Sequence, residues 1–136
     1  MTTTLTISQI LVYYDFPEIF VAYDNVGTNY LCLLISADNQ ETNYISTAIS
    51  TKRLSSFING KIDLREIFEK PEINNWLFFN QVKENIEAKL WEGESLPDEY
   101  LPDEGFIYQK QLQGEELILN EAIEKNNAVV HLAVSD

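Results

Sequence analysis

The chain has 136 residues, 45% of them hydrophobic and 12% aromatic, with 22 acidic side chains against 9 basic ones and a net charge of −13. Length and apolar content fit one folded domain spanning residues 1–136 and exclude disorder, which needs low hydrophobicity as well as high net charge. The charge excludes a duplex nucleic acid as partner, because such binding draws on Lys and Arg contacts to phosphate, and it favours a basic protein instead.

The charge is also segregated. No Lys or Arg precedes Lys52, and seven of the nine basic residues fall between Lys52 and Lys89. The amino-terminal Met1 to Ile7 lacks the positive charge and continuous apolar run of a secretory signal, and no stretch approaches the ~20 apolar residues of a membrane span, so the expectation is a cytoplasmic protein.

In chain order, Ile10 to Tyr14 reads as a strand, Asp15-Phe16-Pro17 as a break, and Ile19 to Tyr23 as a second strand. A turn cluster at Asp24 to Thr28 leads into Tyr30 to Ile35, apolar on both faces and therefore the expected central strand. Within it Cys32, the only cysteine, reads as a small buried hydrophobe in a reducing compartment. A second reversal at Ala37 to Glu41 precedes a strand over Tyr44 to Ile49. Ser50 then caps a short helix over about 51–59, carrying Leu54, Phe57 and Ile58 on one stripe and ending at Asn59-Gly60. Asp63 with Glu66 forms a variant of the capping box for a second helix over about 64–70, with Leu64, Ile67 and Phe68 at the same spacing. Both helices are too short to stand alone and should pack on the sheet.

Trp76 to Phe79 and Ile86 to Trp91 predict a second hairpin, turning near Glu84-Asn85. Glu92 to Gly105 reads as an acidic, proline-rich loop with one internal echo, Leu96-Pro97-Asp98-Glu99 followed by Leu101-Pro102-Asp103-Glu104. Beyond it a helix over about Leu119 to Lys125 and a buried strand over Ala128 to Val134 are expected, although Leu117 to Leu119 could instead end a strand begun near Phe106. The fold class that results is α+β: an antiparallel sheet with two tandem helices, a second hairpin, the acidic loop and a C-terminal helix-strand.

Little in this inventory carries catalysis. His131, the only histidine, sits in the last β-branched run, where a hydrogen-bonded structural role is expected. Nothing places Cys32 in the electropositive setting that a Cys32–His131 nucleophile would need. Phosphate-cradling glycine loops and the Gly-x-Ser-x-Gly elbow are absent. Glu87-Ala88-Lys89 with Glu72 imitates the acid and acid-x-Lys pattern of metal-dependent nucleases, yet such triplets arise by chance and the charge would repel the substrate. No cofactor is expected. The Asp98, Glu99, Asp103 and Glu104 cluster reads as a solvated acidic loop before it reads as a cation site.

Three stretches carry a resemblance: Tyr13-Tyr14-Asp15-x-Pro17, Gly60-Lys61-Ile62-Asp63-Leu64-Arg65-Glu66-x-Phe68, and Leu96-Pro97-Asp98-Glu99-x-Leu101-Pro102. Over residues 8–108 they are similar to a family of small bacterial domains of unknown function. The resemblance implies an α+β fold and a bacterial origin, and it brings no functional residues with it.

The reading from the residues is a non-enzymatic protein-binding module, in sharper form an inhibitor, antitoxin or immunity-type protein, that docks a basic partner through Glu92, Glu94, Asp98, Glu99, Tyr100, Asp103 and Glu104. Tyr100 is either an exposed anchor or a latch holding the loop, the latch being favoured because Leu96 and Leu101 would bury beside it. Alternatives are a small-molecule or metal-sensing domain and a carboxylate- and metal-dependent enzyme such as a nuclease. An uncovered sheet edge could also pair with a second copy of the chain.

Overall fold

In the computed structural model the described residues are 2–14, 16–73, 75–82, 85–92, 94–106, 108 and 131–135. They form an α+β fold built on strands β1 (Thr2–Tyr14), β2 (Phe16–Tyr23), β3 (Asn29–Ala37), β4 (Glu41–Ala48), β5 (Asn75–Val82), β6 (Asn85–Glu92) and β7 (His131–Ser135), with helices α1 (Thr51–Ile58) and α2 (Leu64–Glu69) between β4 and β5. The seven strands make one antiparallel sheet in the order β6-β5-β4-β3-β2-β1-β7. The chain therefore runs as a meander from β1 to β6, and β7 returns beside β1 with His131 opposite Thr6. The end strands β6 and β7 also come into contact, so the sheet curls round on itself as an incomplete barrel.

The sheet has two apolar faces, which β3 serves at the centre of the order. Leu31 and Cys32, adjacent on β3, are both wholly buried, one on each face. One face gathers Leu5, Ile7, Ile10, Phe20, Ala22, Cys32, Tyr44 and Phe79, with Phe20 and Tyr44 meeting edge to face at 5.4 Å. Desolvation there pushes the Cys32 thiol far up from its ordinary value, so it is an inert filler of the core. The opposite face joins Leu11, Ile19, Val21, Leu31, Ile45 and Ile49 to the helices through Phe57, Leu64, Ile67 and Phe68. Burying each of these helix side chains is worth about 1.5–3 kcal/mol, which holds two helices that have no stability of their own.

Local chemistry sets the helix ends. Ser50 Oγ accepts from the Arg53 N–H at 3.2 Å, and α1 stops where Gly60 takes φ of 72°. There the Gly60 N–H donates to the Phe57 carbonyl and Lys61 N–H to that of Ser56, the paired closure that a left-handed glycine permits. Asp63 caps α2 through the Arg65 N–H at 2.7 Å.

Two expectations are corrected. The first strand begins at Thr2 instead of Ile10, and its register against β2 shifts between Ile7 and Gln9, Ile10 and Val12, and Val12 and Tyr13. The part not expected, Thr2 to Thr6, pairs in regular register with β7, a partner that lies at the far end of the chain. Phe16 and Pro17 belong to β2 and pair with Tyr14 and Tyr13. The helix expected over Leu119 to Lys125, the alternative strand end at Leu117 to Leu119 and the turn at Glu84 lie outside the described residues; of the run Ala128 to Val134, residues 131–134 are strand.

Candidate functional site

The acidic segment is a fixed structure. Leu96 is buried, and Tyr100 and Leu101 pack against the core beneath the helices. A single 3-10 turn over Asp98–Tyr100 shapes its middle. The Tyr100 ring is partly buried and lies edge-on to Phe78 at 5.1 Å, which gives it the contacts of a latch. Trp91 closes the other side, meeting Phe78 at 6.0 Å and donating its indole N–H to the Ser95 carbonyl at 3.3 Å.

The start of α2 supplies the other half of the fixation. Asp63 spends one carboxylate oxygen on its own helix and the second on the Gly105 N–H at 2.6 Å. Leu64 donates its N–H to the Phe106 carbonyl at 3.1 Å. Arg65 uses its whole fork: Nε to Glu69 at 3.0 Å, one terminal nitrogen to the Pro102 carbonyl at 3.0 Å, the other to Asp98 at 2.9 Å. These carboxylates hold the guanidinium pKa above its ordinary value, the Glu69 hydrogen bond contributing most. The Ile62-Asp63-Leu64-Arg65 and Leu96-Pro97 to Leu101-Pro102 stretches, far apart in the chain, are thus the two sides of one clamp.

With the apolar side chains turned in, the charges turn out. Glu94, Glu99, Asp103 and Glu104 are exposed, and the Asp98 side chain is 89% exposed even while it meets Arg65. Glu66 and Glu69 of α2 stand exposed beside them, and a polar cleft lined by Asp63, Arg65, Glu66, Glu69, Lys70 and Glu104 runs between helix and loop. Glu92 ends β6, and its side chain lies outside the described residues. The arrangement leaves these carboxylates exposed on the outer side of the loop.

Other candidates lie elsewhere, and the Glu87 side chain is outside the described residues. Glu72 accepts from the Ser50 N–H at 2.8 Å and its pKa lies below the usual carboxylate range for that reason; it is tied to the start of α1. Lys89 is exposed on β6. Among the described residues no three Asp, Glu, His or Cys side chains converge as a metal site would require. Phe106 is 41% exposed, whereas Tyr108 is buried, stacks on Phe57 at 5.6 Å and donates to the Leu11 carbonyl at 3.3 Å.

Sequence reasoning missed one feature: a cleft of about 540 Å³ bounded by β1, β2, the second half of β3, the start of α2 and Phe106. Val12, Ile19, Leu33, Leu34, Ile35, Ser36, Ala37, Leu64 and Phe106 line it together with Glu18, the one charged wall residue among the described residues. The one signal for it was the all-apolar composition of Tyr30 to Ile35, longer than two short helices can cover.

Comparison with known proteins places the chain in a family. The model of a family of unknown function, DUF6575, matches residues 2–133, and the chain belongs to that family. No curated protein and no solved structure matches it. No helix among the described residues is long and apolar enough to cross a membrane.

Proposed function

We propose that this member of a family without an assigned function is a protein-binding module that docks a basic partner through the clamped acidic loop. The carrying observation is the division of labour within residues 94–106: Leu96, Tyr100 and Leu101 are spent on the core, Arg65 and Asp63 fix the backbone, and Glu94, Glu99, Asp103 and Glu104 are left exposed with no ion pair among the described residues. A loop already ordered before it meets a partner loses little conformational entropy on binding. Its charge steers encounter, so association is fast and weakens with salt. An inhibitor, antitoxin or immunity-type role, in which the loop covers the basic cleft of a nucleic-acid enzyme, is the form of docking that this chemistry suits best.

The test reverses Glu94, Glu99, Asp103 and Glu104 to Lys while keeping Asp98, whose loss would free the clamp. Proteins from the native host that the wild type captures and the variant does not are identified, and their association rates are followed from about 50 to about 300 mM salt, a range over which the screening length falls below 10 Å. The expected partner carries a basic patch, associates at least about tenfold faster with wild type, and slows as salt rises. A partner without such a patch, or a rate indifferent to salt, overturns the proposal.

A further inference from the structure

The cleft beside the β1–β2 hairpin has a composition that the acidic loop does not share, and it fits a particular side chain. Val12, Leu33 and Ile35 are only partly buried, packed against the core from its edge, so an apolar floor stays open there. Phe106 stands 41% exposed at the wall. Its backbone is pinned by the bond between its carbonyl and the Leu64 N–H, directly after Gly105 is held by Asp63. Glu18 is partly buried in the same cleft and has neither a hydrogen bond nor a cationic partner among the described residues.

A carboxylate on an apolar wall with an aromatic face nearby matches three properties found together in one residue type. The methylenes of an arginine cover apolar surface, its planar guanidinium meets a carboxylate through two parallel N–H···O bonds, and the same plane stacks on an aromatic ring. Lysine offers the charge and the stem without the fork or the plane. We propose that the cleft bounded by Glu18, Val12, Leu33, Ile35, Leu64 and Phe106 is an anchor pocket for an arginine side chain of the basic partner. This rests on the docking function proposed above and adds to it: the loop carboxylates steer, and the cleft supplies the desolvated contact that slows release. Arginine is among the residues that most often dominate binding energy at interfaces, in pockets of this kind.

The probes are the capped tripeptide Leu-Arg-Leu, its Lys counterpart and its citrulline counterpart, which keeps the shape of arginine and removes the charge. Binding is followed through the methyl resonances of Val12, Leu33 and Ile35 and the ring resonances of Phe106. The arginine peptide should shift these signals saturably, with the citrulline peptide at least about tenfold weaker and lysine in between. Glu18→Gln should erase the preference for arginine over citrulline, and Phe106→Ala, at an exposed position, should weaken arginine binding several-fold. Equal binding of arginine and citrulline, indifference to Glu18→Gln, or shifts confined to residues 94–104 overturn the pocket. So do shifts of the same signals that depend on protein concentration without peptide, since a second copy would then fill the cleft. Loop-dependent association with a captured partner combined with no cleft shifts removes the pocket alone. Glu18-dependent arginine binding combined with an association rate that ignores loop reversal removes the loop reading alone.

Discussion

Asp24 shows how one side chain sets a local structure and a pH response together. It is buried at the β2–β3 turn and accepts from the Val26 N–H at 3.1 Å, the Thr28 N–H at 2.8 Å and the Tyr30 hydroxyl at 3.2 Å, with Gly27 at φ 91° completing the reversal. Burial first, and the Asp24 charge second, raise the Tyr30 pKa from 10.0 to about 12. A raised folded-state value means that the folded chain holds the phenolic proton more tightly. The linked stability is therefore complete below pH 10 and is lost as pH climbs through about 12. Tyr30→Phe should cost about 0.5–1.5 kcal/mol at neutral pH through the lost hydrogen bond and should flatten the fall of melting temperature above pH 10. Some slope must remain, because burial also raises Tyr44 and Cys32. Melting curves from pH 8 to 12 check this; an alkaline slope identical to wild type would rule out Tyr30 as its source.

Among the elements, α2 depends on its neighbours at both ends, since a helix of six residues leaves nearly all its terminal groups without partners. Its start is tied to the loop through Asp63 and Leu64. Near its end the Phe68 carbonyl takes the indole N–H of the wholly buried Trp76 at 3.0 Å. Trp76→Phe keeps most of the ring and removes that donor, so the orphaned carbonyl alone should cost about 1–3 kcal/mol, read as a lower urea midpoint at unchanged m. A loss under about 0.5 kcal/mol would mean that the carbonyl finds another donor. Both helix starts were legible in the sequence because a cap is a local device: Ser50 and Asp63 act within three residues of themselves. The first half of β1 was not, since Thr2 to Thr6 pair with β7, which comes from the far end of the chain. Nor was the clamp, whose Arg65 contacts span 33 and 37 residues of chain. The carboxylates of the loop could be read from composition; what fixes them, and the cleft with Glu18 beside it, exists only once β1–β3, α2 and residues 94–106 are brought together.

For the whole molecule, the question is whether the acid on the loop serves the fold or is tolerated by it. A net charge of −13 on 136 residues repels itself, and self-repulsion opposes compactness at low ionic strength. The core does not need these charges: Glu94, Glu99, Asp103 and Glu104 form no ion pair among the described residues, while the clamp uses Asp63, Arg65 and Asp98. Reversing those four residues changes the charge by two at each position and takes −13 to −5. The variant should therefore melt no lower than wild type in dilute buffer and slightly higher if repulsion dominates, with the difference vanishing near 1 M salt, where the screening length is about 3 Å. Wild type alone should gain melting temperature as salt is added. If the reversed chain instead melts several degrees lower at every ionic strength, the carboxylates hold the loop in place and their exposure has a structural cause. If it does not, a cluster that costs stability and shapes nothing is retained for what it meets, and the loss of fast association in the same variant identifies that use.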